Sequence, residues 1–127
     1  MKEQRYDNSI TRSKSKDFAL RIIKFVKLLQ DGEIDRIISK QLLRSGTSIG
    51  ANLRESYNAQ SKADFINKLH IALKEADETA YWLELLYESK IINKQYFDSL
   101  YSDLEEIIAL LTASIKTLKN NVTKSKS

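Results

Sequence analysis

Leu43-Arg44-Ser45-Gly46-Thr47-Ser48-Ile49-Gly50-Ala51-Asn52-Leu53-Arg54-Glu55 decides the fold. Its flanks carry helical periodicity, yet six of these residues are Gly, Ser, Thr or Ala. Each Gly in a helix interior gives up about 0.8–1.0 kcal/mol relative to Ala, so Gly46 and Gly50 together give up about 2 kcal/mol. Such a helix is one whose surface is approached too closely for larger side chains. Gly-x-x-x-Gly spacing lets two backbones come together, as it does between membrane helices. Ser45, Gly46, Ser48, Gly50 and Asn52 are therefore expected at a close helix or subunit contact. Once buried, the polar groups of Ser45, Ser48, Asn52 and Ser56 need hydrogen-bond partners. Glu55, Glu75 and Glu78 are candidates at helical spacing. A phosphate loop is excluded, because no strand precedes the glycines and no Gly-Lys-Ser/Thr follows them.

The rest of the chain supplies the other helices. It has 127 residues, 42% of them hydrophobic, with no proline and three glycines, which points to one all-α domain with a single core. Residues 1–14 lack periodicity and are expected to be a flexible arm. A first helix over 15–30 places Phe18, Ile22, Phe25, Val26 and Leu29 on one face, with Gly32 as its stop. A second helix over 34–59 runs through Ile34, Ile38 and Leu42 into the small-residue segment. Ser61-Lys62-Ala63-Asp64 reads as a capping box that starts a third helix, running to residue 89 through Phe65, Leu69, Ala72, Leu73, Ala76, Ala80 and Leu83. Asn93 is the expected N-cap of a fourth. That helix presents Phe97, Leu100, Leu104, Ile107, Ile108, Leu111, Ile115 and Leu118, and residues 120–127 form a flexible polar tail. Four helices with short connections predict an antiparallel up-down-up-down four-helix bundle over 15–119.

The net charge of +4 is unevenly spread. Residues 1–62 carry 13 Lys/Arg against 7 Asp/Glu, a balance of +6, whereas residues 63–127 carry 8 against 10, a balance of −2. On a helical wheel of the second helix, Arg36, Lys40, Arg44, Arg54 and Lys62 share an arc of about 100° that contains no acid, with Thr47, Ala51 and Asn58 between them. Lys16, Lys24 and Lys27 give the first helix a similar face. Such stripes suit phosphate tracking without base readout. They equally suit a solvated face, or ion pairs with the acidic half of a neighbour.

A second apolar seam lies on the third helix. Ile71, Glu78 and Leu85 repeat every seven residues, and Trp82 falls opposite the core stripe. Ile71, Glu75, Glu78, Trp82 and Leu85 are accordingly expected at a subunit interface, the alternative being that Trp82 covers a helix–helix edge.

Several chemistries are excluded. There is no cysteine for disulfides, thiolate catalysis or zinc–thiolate sites, which agrees with a reducing cytoplasm. The N-terminus has no apolar signal-peptide core, and no apolar run reaches the roughly 20 residues of a membrane span. A di-metal bundle needs Glu-x-x-His on two helices. Here the single histidine, His70, has no Glu three residues before it. No metal, no cofactor and no catalytic residue is expected.

The opening segment, residues 43–55, also resembles the signature of the four-helix-bundle family encoded in 23S rRNA intervening sequences. Asp64-Phe65-Ile66-Asn67-Lys68-Leu69 and Ala72-Leu73-Lys74-Glu75-Ala76-Asp77-Glu78-Thr79, followed by Tyr81-Trp82-Leu83, are similar to its second block. The resemblance covers residues 15–118. It implies an antiparallel bundle that assembles into a ring-like homopentamer, and a relation to the accessory proteins of diversity-generating retroelements. In those relatives a basic surface engages nucleic acid and the reverse transcriptase. By position it makes Arg44, Arg54, Lys68 and Lys74 basic positions of the signature, and residues 45–52 with Glu75, Glu78 and Trp82 assembly surfaces. Two functions follow as expectations. One is a cytoplasmic, non-enzymatic homo-oligomer binding RNA or DNA through Arg36, Lys40, Arg44, Arg54, Lys62, Lys68 and Lys74. The other is a scaffold for a protein partner, without direct nucleic-acid binding.

Overall fold

The computed structural model describes residues 8–29 and 32–126, with side chains described as far as residue 120. Four helices follow one another among these residues: α1 (Ser9–Lys27), α2 (Glu33–Ser56), α3 (Lys62–Glu88) and α4 (Lys94–Lys126). Short connections turn each helix back on the one before. α1 packs on α2, α2 on α3, α3 on α4, and α4 closes against α1. The fold is a four-helix bundle, as the periodicity requires.

Local chemistry sets the helix ends. The Ser61 side chain accepts from the Asp64 amide at 3.1 Å and starts α3. Asn93 Oδ1 accepts from the Tyr96 amide at 2.8 Å and starts α4. Gly32 stands at the N-cap of α2 in extended backbone, so it opens the second helix and does not stop the first. Between α3 and α4 the chain reverses through Lys90, which adopts φ 68°. There the Ile91 amide bonds the Leu86 carbonyl at 2.9 Å, a left-handed helix ending of the Schellman kind.

Two boundaries differ from expectation. α1 begins at Ser9, so residues 9–14, expected in the arm, belong to the bundle, and residues 1–7 lie outside the described residues. α4 runs to Lys126 and takes in most of the expected tail, because no Gly or Pro after Asn120 interrupts it; Ser127 lies outside the description. The early start of α1 has a packing cause. Thr11 and Ser15 are buried on the face that carries Phe18 and Ile22, and Ser15 lies against Gly50 of α2.

The core holds the expected stripes. Phe18, Ile22, Leu42, Ile49, Leu53, Phe65, Leu69, Leu83, Leu100, Leu104 and Ile107 are almost wholly excluded from solvent. Ile34 departs from its expected place, at 66% exposed, since the first turn of α2 lies at the bundle's end.

Candidate nucleic-acid interface

The two glycines of α2 do different things. A Cβ on Gly46 would stand 3.2 and 3.3 Å from the two γ-carbons of Ile22. Position 46 is thus small because α1 leans on it. A Cβ on Gly50 would meet the Ser15 carbonyl oxygen at 3.6 Å, an ordinary contact. Gly50 instead forms part of a cavity of about 640 Å³ between α1 and α2, together with Ser9, Arg12, Ser13, Lys16, Ala19, Thr47, Ala51 and Arg54.

That cavity is basic. Arg12, Lys16 and Arg54 border it, and among the described residues no carboxylate does. Arg12 is held from two sides. Its Nε donates to Asn8 Oδ1 at 2.8 Å, and its guanidinium lies 4.5 Å from the centre of the Tyr57 ring, a cation–π arrangement. Further along the same helix pair, Arg36 and Lys40 border a second cavity of about 490 Å³ with Val26, Glu33, Ile37, Ser39 and Leu43. Fourteen to eighteen residues separate these cations from Arg54 on α2, which at 1.5 Å per residue is about 21–27 Å along the helix. None of Arg12, Lys16, Arg36, Lys40 or Arg54 forms an ion pair among the described residues.

The α2/α3 seam is the opposite case. Arg44 reaches Glu75 at 3.2 Å and also bonds Glu78. Trp82 Nε1 donates to the same Glu78 oxygen at 3.1 Å. The hydrogen bond to Glu78 raises the Arg44 pKa, while the Arg44 and Trp82 hydrogen bonds hold the Glu78 carboxyl below its ordinary range. Lys68 bonds Glu55 at 2.8 Å, which raises the lysine pKa. The acid-free arc drawn on α2 alone is therefore not acid-free in the bundle, because α3 brings its carboxylates to Arg44. Arg44 and Lys68 are thus compensated cations within the bundle. Lys62 opens α3 half-buried, and Lys74 is exposed near enough to Glu78 to lower its pKa further.

The expected interface residues divide in the same way. Ser45 is fully buried and accepts from Thr79 Oγ1 at 2.9 Å. Gly46 is buried under Ile22. Both pack helices of this chain, so as buried residues they offer no surface to a second copy. Ser48 donates to the Arg44 carbonyl at 2.6 Å and Asn52 to the Ser48 carbonyl at 2.9 Å. Ser56 donates to the Leu53 carbonyl at 2.7 Å and accepts from Asn8 at 3.3 Å. Backbone and hydroxyl partners thus satisfy this segment. The carboxylates of Glu55, Glu75 and Glu78 are instead taken by Lys68 and Arg44. Ser15 and Ser39 are buried with no hydrogen-bond partner for their hydroxyls among the described residues. Ile71 and Leu85 are half-buried. Trp82 packs against the edge of the core and stacks edge-on with Tyr81 at 5.2 Å, which is the helix-edge alternative.

Arg12, Ser13 and Ala19 were missed as site residues. A signal for them existed: Thr11 and Ser15 continue the Phe18–Ile22 face backward at spacings of three and four. They are polar, so a search for apolar periodicity passes over them. His70 is exposed. Among the described residues no three His, Cys, Asp or Glu side chains are grouped to hold a metal, and no helix is long and apolar enough to cross a membrane.

A family model described as "23S rRNA-intervening sequence protein" matches residues 7–113. A similar solved structure is the crystal structure of a protein with unknown function from the S23 ribosomal protein family of Bacteroides thetaiotaomicron VPI-5482. It is 53% identical, with a TM-score of 0.80, and the match covers 84% of this chain and 98% of that one. Comparison with curated proteins gives no significant match.

Proposed function

From the premise that the chain belongs to the 23S rRNA-intervening sequence protein family, we propose that it is a cytoplasmic, non-enzymatic, homo-oligomeric bundle that binds RNA through the α1/α2 face. One observation carries this reading. Three cations, Arg12, Lys16 and Arg54, converge on one cavity with no carboxylate at its border among the described residues, while Arg44 and Lys68 nearby are each matched by acids. An ion-paired arginine must break its pair to take a phosphate. An unpaired one gives up only water and counterions, and the release of counterions from the nucleic acid drives the exchange. Arg36 and Lys40 extend the unpaired set along the helix pair, a length suited to following a backbone. Contacts to phosphate position a strand without reading its sequence, so binding should depend little on sequence. Several copies of so small a cationic set would act together, and oligomerisation would raise the avidity.

The test is fluorescence anisotropy of single-stranded RNA across a salt series, with mass by light scattering on the same sample. Engagement of three phosphates per site corresponds to a log–log salt slope of about −2. Binding insensitive to salt, or absent at low salt from a folded oligomer, overturns the reading in favour of a scaffold for an acidic protein partner.

A further inference from the structure

The two cavities of the α1/α2 face differ. Arg36 and Lys40 extend the cations along the helix pair, whereas Arg12, Lys16 and Arg54 surround a single concavity of about 640 Å³, within the size range of small-ligand sites. Its remaining border is small or hydroxylated: Ala19, Gly50 and Ala51, with Ser13 and Thr47. Position 50 is not forced to be glycine by helix packing, since a Cβ there meets only ordinary contacts. What the missing side chain leaves is room. Arg12 is fixed by Asn8 and the Tyr57 ring, so little side-chain freedom is lost when it takes a ligand.

The charge of the site selects its occupant. An internal phosphodiester carries one negative charge, whereas a phosphate monoester carries about −1.5 to −2 at pH 7 and offers three acceptor oxygens. Three convergent cations, with no acid at the border among the described residues, are better matched by the second. We infer that the Arg12–Lys16–Arg54 cavity binds a phosphate monoester, supplied either by the phosphorylated end of an RNA strand or by a free nucleotide. This inference rests on the RNA-binding reading where the source is a strand end.

The experiment compares three RNA oligonucleotides of one sequence, with a 5′-phosphate, a 3′-phosphate or neither, and adds adenosine monophosphate as competitor. A terminal phosphate at one end should tighten binding about tenfold, the equivalent of one charge-assisted hydrogen bond. Two variants locate the effect. Lys16→Gln with Arg54→Gln removes charge from two exposed side chains, and Ala51→Leu fills the cavity without altering charge or helix propensity greatly. Both should abolish the preference for the phosphorylated end. Competition by adenosine monophosphate identifies a free nucleotide as a sufficient source, and its failure beside a persistent end preference assigns the strand end. Equal affinity for all three oligonucleotides overturns the inference and leaves RNA binding intact. Loss of all RNA binding with retained nucleotide binding overturns the RNA reading and leaves the cavity a nucleotide site.

Discussion

α2 has two flanks, and they use the same kinds of residue to opposite ends. Toward α3, cations meet acids and hydroxyls meet hydroxyls: Arg44 with Glu75 and Glu78, Lys68 with Glu55, Thr79 with Ser45. Toward α1, the cations Arg12, Lys16 and Arg54 meet no acid among the described residues, and small residues leave a cavity between them. The first flank is complete within the chain. The second leaves its cations without a carboxylate among the described residues. A count of lysines and arginines does not distinguish these cases; their partners do.

The contrast can be broken at its packing first. Gly46→Leu drives a side chain into Ile22, where even a Cβ would be at 3.2 Å. It should lower unfolding free energy by about 3 kcal/mol in urea denaturation, the upper end of overpacking, and a loss under 1 kcal/mol would show that α1 shifts freely. Next comes the buried hydroxyl pair. Thr79→Val keeps shape but leaves Ser45 without its donor, a cost of about 1–2 kcal/mol, and adding Ser45→Ala should recover most of it. If the double variant is as unstable as the single, the pair is not what holds that point of the seam.

Gly50→Ala should act in the reverse sense. Its Cβ has room, so the gain in helix propensity, about 0.8–1.0 kcal/mol, should appear as a raised Tm. Destabilisation there would mean that α1 presses on both glycines alike. The smallest effect belongs to Glu78. Its folded pKa is lowered by Arg44 and Trp82, so the stability it contributes is full above the ordinary value of 4.5 and is lost as pH falls through the lowered one. Partly exposed, that contribution should be under about 1 kcal/mol. Glu78→Gln should flatten the acid limb of the stability curve, and an unchanged limb would mean the pair is solvent-screened.

The sequence disclosed much of this, and its failures have a pattern. Apolar stripes such as Phe18–Ile22–Phe25 and Leu100–Leu104–Ile107–Leu111 are visible because burial and periodicity coincide. The first two turns of α1 are not, because Thr11 and Ser15 are buried through smallness and not through hydrophobicity. Gly46 and Gly50 both announce a close approach, yet only the structure separates the one under Ile22 from the one at the cavity. The wheel of α2 places Arg36, Lys40 and Arg54 on one face, where none forms an ion pair among the described residues. It fails at Arg44, because a wheel shows one helix and the compensating acids stand on the next.

The central claim is that the cations without partners, and not the paired ones, make the RNA surface. Two variants of matched charge test it in parallel, Lys16→Gln with Arg54→Gln against Arg44→Gln with Lys68→Gln, by RNA anisotropy across a salt series with folding checked by circular dichroism. The first should lose at least about tenfold in affinity, and its salt slope should fall by about 1.4, which is two phosphates at about 0.7 each; the second should bind within about twofold of wild type, a difference under about 0.5 kcal/mol. Equal losses in the two, or a loss confined to the Arg44/Lys68 variant, would contradict the claim.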